Sequence, residues 1–449
     1  MVPATLKSAL AITDRAEIRA MIHLAAPLVA AEVGWMLMGV VDTMAVGRVS
    51  ADAIGAVSIG TTTFYTVAIF AGGLLLGLDT LVAQAFGAGD REQGRGWAVQ
   101  GLWLALFLIL PVMLVVEAII PLLGLMGINR GVLAEAQPYM RALNWSAAPL
   151  LIFFALRRYL QSINVVRPIM FTLLTANLVN LFGNWVFVFG NLGAPRLGAV
   201  GSGWSTCVSR AYMMALLALV AWRENRGLAK ISWRPDLRRI RALIGLGFPA
   251  AAQMGFEIAV FSTVTVLIGR LSATALAGHQ IALQTVSMTY MLPLGISSAA
   301  AVRVGQAIGR GDAAGAARSG WTALAMGAAV MSCCALTLLL APRLIAELFT
   351  PEAAIIAAGV TLLRVAAFFQ LFDGFQVVAT GALRGAGDTR TPMICHFTGY
   401  WVIGLPLGVL LGFHFGLGAP GLWMGLSAGL ILIGSVLVGF WRRTVNRLH

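Results

Sequence analysis

The sequence predicts an all-α integral membrane protein in which twelve transmembrane helices form two pseudo-symmetric six-helix bundles. Of its 449 residues, 59% are apolar and only 11% are charged, and the mean hydropathy is +0.87, values that are not typical of water-soluble domains. Apolar runs near the ~20 residues needed to cross a bilayer recur along the whole chain. The runs are 22–47, 53–84, 97–123, 133–160, 168–190, 197–222, 242–269, 274–304, 319–346, 353–382, 391–413 and 418–441.

The net charge of +13 indicates orientation rather than a nucleic-acid partner. With both termini placed on one side of the membrane, most of the 31 Lys and Arg residues fall on that side, many of them between Arg223 and Arg241. Cytoplasmic loops of membrane proteins carry such an excess. We therefore expect both termini to be cytoplasmic and expect no nucleic acid to bind. The four cysteines lack metal-ligand spacing, and no cofactor is expected.

An internal repeat defines the two halves. At a shift of 222 residues, Ile18-Arg19-Ala20 returns as Ile240-Arg241-Ala242, and Gln84-Ala85 returns as Gln306-Ala307. A repeat with an even number of helices returns to the face where it began, so the halves have parallel topology and the substrate is expected between them. The predicted organisation is an N-terminal lobe (1–222), a cytoplasmic connector (223–241) and a C-terminal lobe (242–449).

Ionisable side chains inside the apolar runs are the strongest functional signal, because each costs at least ~2.5 kcal/mol near the bilayer centre. They are Glu32, Asp42, Asp79, Glu117, Glu257, Asp373 and Arg210. Asp79 and Glu117 lie near run ends, which favours a structural role. Glu257 and Asp373 lie among polar residues at helical spacing, such as Gln253 and Gln370, and can hold a proton, a dehydrated Na⁺ or a cationic substrate.

A second polar cluster is predicted in the first half. Asp42 stands in the first run, and Asn177, Asn180 and Asn184 share one face of the fifth at i, i+3 and i+7. These amides can help to bind a cation or serve plain helix packing. Glu32 and Arg210 are candidates to pair with each other or with Asp42, and the sequence does not choose between these pairings.

Several motifs together resemble one family. They are Val41-Asp42-Thr43, the run Leu78-Asp79-Thr80-Leu81-Val82-Ala83-Gln84-Ala85-Phe86-Gly87-Ala88, the run Ala277-Gly278-His279-Gln280-Ile281-Ala282 and the run Leu383-Arg384-Gly385-Ala386-Gly387-Asp388-Thr389-Arg390. In this order on a twelve-helix repeat, they resemble the multidrug and toxic compound extrusion (MATE) family, most closely its NorM-type bacterial branch. The likeness covers nearly the whole chain.

The resemblance implies a multi-pass transporter of the bacterial inner (plasma) membrane that works as a monomer. It implies export of small-molecule drugs or toxins, often lipophilic cations, in exchange for Na⁺ or H⁺ by alternating access. By analogy, Glu257 and Asp373 correspond to the C-terminal cation site, where Na⁺ would bind in a sodium-coupled member, and Asp42 with the three asparagines corresponds to the N-terminal cluster. Some members have a tyrosine one helical turn before the aspartate, where this chain has Phe369.

Further side chains are candidates for the substrate cavity. They are Gln253, Gln280, Gln284, Trp35, Tyr290, Phe369 and Arg210. Aromatic rings suit flat lipophilic cations through stacking and cation–π contact, although most such residues in membrane helices serve packing.

Three other functions are alternatives to export. A flippase for lipid-linked oligosaccharides, from the same superfamily, requires a cationic cavity for a pyrophosphate, and only Arg210 is placed to supply one. A membrane-embedded enzyme requires a catalytic constellation, but the histidines share no such spacing, so no enzyme activity is expected. An ion channel is disfavoured by the two-fold repeat and by the lack of a filter-like loop.

Overall fold

The computed structural model describes residues 15–126, 128–228 and 231–448, and these are mainly helical. The helices are α1 (Arg15–Val46), α2 (Ala51–Leu74), α3 (Gly77–Gly87), α4 (Arg91–Leu122), α5 (Arg130–Asn144), α6 (Ala147–Ser162), α7 (Arg167–Phe187), α8 (Ala199–Asn225), α9 (Leu237–Gly269), α10 (Ala273–Gly309), α11 (Ala313–Leu340), α12 (Pro342–Glu347), α13 (Ala353–Gly385), α14 (Arg390–His414) and α15 (Gly418–Leu448). The start of the predicted N-terminal lobe, connector residues 229 and 230, and the final residue lie outside the described residues.

The twelve predicted membrane spans are confirmed by length and composition. Among the described residues, 11 helices or continuous helix pairs are long and apolar enough to cross a bilayer, and α5 and α6, which are bent by 47° relative to each other, give twelve if they are counted as one span. The sequence did not predict this bend. Pro149 lies in the first turn of α6, where its missing amide costs no helical hydrogen bond. The predicted span 53–84 likewise consists of two helices, α2 and α3.

The internal repeat is visible in the helix caps. Ser50 Oγ accepts from the amide of Ala53 at 3.0 Å, and Ser272 Oγ accepts from Ala275 at the same distance. Asp90 Oδ1 accepts from the amide of Gln93 at 2.8 Å, and Asp312 Oδ1 accepts from that of Gly315 at 2.7 Å. Such caps satisfy amides that have no partner within the helix, so equivalent residues begin equivalent helices in both halves.

By packing, the chain divides into two compact units. One unit comprises Ala30–Ala251, and the other combines the segment up to Val29 with the chain from Ala252 onward. Both divisions fall inside long helices, two residues after Pro27 in α1 and Pro249 in α9. Proline removes one helical hydrogen bond, so each helix lacks a backbone hydrogen bond close to its division. Each of α1 and α9 therefore contributes to both units.

The unit Ala30–Ala251 has an aromatic core. Phe64, Tyr139 and Phe153 are fully buried in it. The predicted connector is part of this unit, because Trp103 Nε1 donates to the Trp233 carbonyl at 2.7 Å and Gln100 Nε2 donates to that of Arg234 at 3.0 Å. The connector is thus held against α4 by hydrogen bonds.

The other unit is built around α13, against which α10, α11 and α15 pack. Its largest fully buried side chains are Trp423, Trp441 and Tyr400. Helices α14 and α15 meet through glycines: a Cβ added at Gly425 would lie 2.1 Å from the amide nitrogen of Gly408. Only glycine permits so close an approach of two membrane helices, and Gly404, Gly408 and Gly412 recur on α14 at four-residue spacing.

Candidate cation-coupling sites

Two buried acids meet in the unit that contains α13. Glu257 comes from α9 and Asp373 from α13, and Gln376 connects them. The amide Nε2 of Gln376 donates to Asp373 Oδ1 at 2.9 Å and lies 3.5 Å from Glu257 Oε1. In the structure, the side-chain amide of Gln376 lies within hydrogen-bond distance of both acids.

The two carboxyl groups differ in exposure. Asp373 is only 3% exposed, and its Oδ2 has no hydrogen-bond partner among the described residues. The side chain of Glu257 is 14% exposed. Within the described chain, neither acid forms an ion pair with a Lys or Arg. A carboxylate held away from water without a cationic partner is strongly disfavoured, so this arrangement suits an acid that carries a proton or binds a cation.

Three side chains that the sequence did not single out complete this site. They are Gln376, Tyr400 and His396. The Tyr400 hydroxyl lies 3.1 Å from Gln376 Nε2, and His396 Nδ1 lies 4.0 Å from Glu257 Oε2. His396 and Tyr400 are neighbours on α14, where a π-helical stretch begins at Phe397. Gln376 stands three residues after Asp373 and was detectable by helical spacing, but nothing in the local sequence connects His396 or Tyr400 to these acids.

The predicted candidates Gln253 and Tyr290 also lie at this site. The Nε2 atoms of Gln253 and His396 are 3.4 Å apart. If the amide donates there, the neutral ring carries its proton on Nδ1, which faces Glu257. Tyr290 hydrogen-bonds to Glu257 as well. The site therefore contains the phenol oxygens of Tyr290 and Tyr400. Phe369 supplies no oxygen and packs on Trp423, with the two ring centroids 6.1 Å apart.

The other candidates in this unit lie apart from the acid pair. Gln280 and Gln284 are exposed on α10, and in the described chain no hydrogen bond connects them to Glu257 or Asp373. Gln370 is buried and donates to Thr289 Oγ1 at 2.5 Å. Among the polar residues of α13, only those around Asp373 reach Glu257.

The second predicted cluster forms in the unit Ala30–Ala251. Asp42 Oδ1 accepts from Asn180 Nδ2 at 3.0 Å and from Asn184 Nδ2 at 2.8 Å, and Asp42 Oδ2 accepts from Thr206 Oγ1 at 2.9 Å. Asn184 Oδ1 is buried without a hydrogen-bond partner among the described residues. A carboxylate beside a free amide oxygen presents the hard oxygen ligands that Na⁺ prefers, and the same carboxyl can accept a proton. Asn177 does not take part, since its Nδ2 donates to the carbonyls of Gly34 and Leu173, each at 2.8 Å.

The suggested pairings of Glu32 and Arg210 are wrong. Glu32 accepts a hydrogen bond from the buried guanidinium of Arg157. Arg210 is 1% exposed, and it donates to Ser146 Oγ at 2.5 Å and to the Tyr65 hydroxyl at 2.8 Å. It makes no ion pair among the described residues. Enclosed in this way, Arg210 offers no open cationic surface for a pyrophosphate.

The guanidinium of Arg210 is surrounded by aromatic rings. It lies 4.9 Å from the ring centroid of Phe64 and 5.2 Å from that of Tyr65. Cation–π attraction offsets part of the cost of burying this charge. The candidate Trp35 belongs to the same aromatic cluster, because its ring centroid lies 6.0 Å from that of Tyr65 and 6.3 Å from that of Phe153. The position of Trp35 is therefore explained by its packing against these aromatic rings.

Asp79 and Glu117, the two acids near the ends of predicted runs, form ion pairs, which agrees with the structural role predicted for them. Asp79 is fully buried, and Arg158 Nη1 lies 3.3 Å from its Oδ2. Glu117 and Arg141 form an exposed pair with a distance of 3.1 Å between Oε1 and Nε. Of the six predicted intramembrane acids, only Asp42, Glu257 and Asp373 lack a Lys or Arg partner in the described part of the chain.

The fold and these sites define a membrane transporter, and comparison with known proteins gives the family. The MatE family model matches residues 27–186 and 249–410. The starts of the two matches are offset by the same distance as the internal repeat. The chain belongs to the MatE family, the multidrug and toxic compound extrusion transporters, and is a transporter rather than an enzyme.

Curated relatives are similar along almost their whole length. The chain is 37% identical to a probable multidrug resistance protein NorM of Mesorhizobium japonicum, with 96% of this chain and 94% of that protein covered. It is 36% identical to the multidrug resistance protein MdtK of Yersinia pseudotuberculosis, with 94% of each chain covered. Among solved structures, the eukaryotic MATE transporter AtDTX14 has a TM-score of 0.86 at 21% identity, covering 96% of this chain and 98% of that one. The predicted family and fold are confirmed, and the protein is a MATE-type multidrug efflux transporter.

Proposed function

We propose that the protein is a secondary active antiporter that exports lipophilic, often cationic drugs or toxins in exchange for Na⁺ or H⁺ by alternating access. The observation that carries this proposal is the pair of Glu257 and Asp373, joined by Gln376 and without a basic partner in the described chain. Burial of unpaired acids is expensive and requires a proton or a cation. The names of relatives such as the NorM protein of Aliivibrio fischeri, 34% identical over 92% of this chain, support multidrug resistance as the outcome.

Coupling follows from linkage between the two ligands. If cation and substrate favour opposite conformations, entry of the cation promotes release of the substrate, and the coupling is reciprocal. The cluster at Asp42 is the second place where such a cation can act. No resident cofactor takes part in this scheme, and the protein works as a monomer.

Ethidium efflux from cells tests this function. Cells that lack their own efflux pumps and express the protein are loaded with ethidium and then energised, and we expect a faster fall in fluorescence than in cells with an empty vector. An uncoupler should abolish this difference if H⁺ is the coupling ion, and removal of Na⁺ should abolish it if Na⁺ is. Efflux that persists unchanged after both gradients are collapsed would refute antiport.

We further propose that the protein lies in the bacterial inner membrane with both termini in the cytoplasm, as the distribution of Lys and Arg supports. Single cysteines at Ala51 and Ala194 should react with an impermeant thiol reagent in intact cells, and one at Ala229 should react only after lysis. The background must lack the four native cysteines, which are free thiols. The opposite labelling pattern would invert the topology.

A further inference from the structure

A pocket opens in the unit Ala30–Ala251 where α4 begins and α8 ends. Its cavity volume is about 130 Å³. Part of its lining is apolar and consists of Phe86, Ile163, Val165 and Leu228. On the proposed topology this pocket lies at the cytoplasmic edge of the membrane. Asp42 is not among its lining residues. The transport sites described above do not use it.

Two basic residues also line the pocket. Arg91 and Arg95 stand one helical turn apart on α4, with Arg91 exposed and Arg95 only 8% exposed. Glu224 also lines the pocket, so the three charged side chains together carry one net positive charge. Beside them, the Tyr159 hydroxyl donates to Asn225 Oδ1 at 2.8 Å. The pocket thus combines two guanidinium groups with apolar lining residues.

In the other half of the internal repeat, the equivalent helix begins without these two arginines. Asp90 and Asp312 are equivalent residues and cap their helices in the same way. In the same register, Arg91 and Arg95 correspond to Ala313 and Ala317 of α11. Since alanines suffice to begin α11, the basic pair is an addition in only one half of the repeat, which favours a binding role.

We propose that this pocket binds the phosphate group of an anionic phospholipid. Guanidinium groups bind phosphate oxygens through strong charge-assisted hydrogen bonds. The cytoplasmic leaflet is rich in anionic lipids, and basic pockets between membrane helices on that side bind their head groups. The apolar lining of Ile163, Val165 and Leu228 suits the glycerol and upper acyl carbons, which free phosphate lacks. This proposal rests on the proposed orientation but not on the transport cycle.

Titration of the purified, delipidated protein with short-chain phosphatidylglycerol, followed by calorimetry, tests the proposal. We expect saturable binding, and the double variant Arg91→Ala/Arg95→Ala, which copies the other half of the repeat, should weaken it at least about tenfold. Glu224→Gln removes a repulsive carboxylate and should tighten binding. Arg310→Ala is the matched control, because it removes an exposed cytoplasmic-side arginine outside the pocket and should leave binding unchanged.

Two further arms separate the lipid from other sources of phosphate. Phosphatidylcholine of the same chain length and inorganic phosphate should both bind more weakly than phosphatidylglycerol. Equal binding of phosphatidylglycerol by the double variant and the unmodified protein would overturn the proposal, as would binding of inorganic phosphate as tight as that of the lipid. Circular dichroism checks that the double variant is folded. If it is not, Arg91→Ala alone, at an exposed position, gives the same test.

Discussion

Asp373→Asn should yield a folded protein that no longer exports a lipophilic cation against its gradient. Asparagine retains an oxygen that accepts the hydrogen bond from Gln376 Nε2, so the 2.9 Å contact and the shape of the site survive. It cannot carry the proton or neutralise the cation that the aspartate handles, because it never becomes charged. Uptake by proteoliposomes under an imposed gradient should fall to the level of vesicles without protein. Asp373→Glu keeps the charge and should retain part of the activity.

Glu117→Gln is the matched control for this loss. Glu117 is also an acid inside an apolar span, but it is half exposed and paired with Arg141. Exposed ion pairs contribute little, so transport by this variant should equal that of the unmodified protein. If Asp373→Asn exported substrate at the normal rate with the normal gradient dependence, the coupling role would pass to Asp42 and its amide neighbours.

Asp42→Asn should also abolish gradient-driven transport while leaving the fold intact. The new amide oxygen can accept from Asn180 and Asn184, and the new amide nitrogen can donate to Thr206 Oγ1, so all three contacts have a replacement. The variant therefore removes the charge of Asp42 and keeps the hydrogen-bond geometry around it. Asp42→Ala instead leaves buried donors without acceptors, and its free energy of unfolding should fall by about 1–3 kcal/mol. Thermal unfolding in detergent and proteoliposome uptake distinguish the two effects.

Asn177→Ala is the appropriate comparison for Asp42→Asn. Asn177 lies on the same helix as Asn180 but bonds only to backbone carbonyls. If its loss eliminated transport as completely as Asp42→Asn does, the sequence-based grouping of all three asparagines would be right and the role drawn from the hydrogen bonds would be wrong.

The sequence predicted the spans, the repeat and the family, because these depend on hydrophobic length and on residues in a fixed order. It also singled out Glu257, Asp373 and Asp42 as candidates, since acids in apolar helices are costly wherever they point. The polar stripe that contains Asp373 placed it on the correct face of α13.

The partners of buried charges were not predictable in the same way. Glu32 pairs with Arg157, which lies 125 residues away in the sequence. Which side chains meet depends on the rotation and height of each helix, and hydropathy fixes neither. The π-helical stretch of α14 also shifts residues around the helix axis, so the position of Tyr400 against Gln376 does not follow from a regular 3.6-residue period.

The most direct test of the account measures transport by the purified protein in proteoliposomes loaded with Na⁺ or with acidic buffer and diluted into medium that lacks the gradient's cation. A lipophilic cation such as ethidium should accumulate inside only while one of these outward cation gradients exists, and reversing that gradient should drive it out. Equal uptake with and without both gradients, or accumulation that requires ATP, would contradict the assignment of the protein as a cation-coupled antiporter.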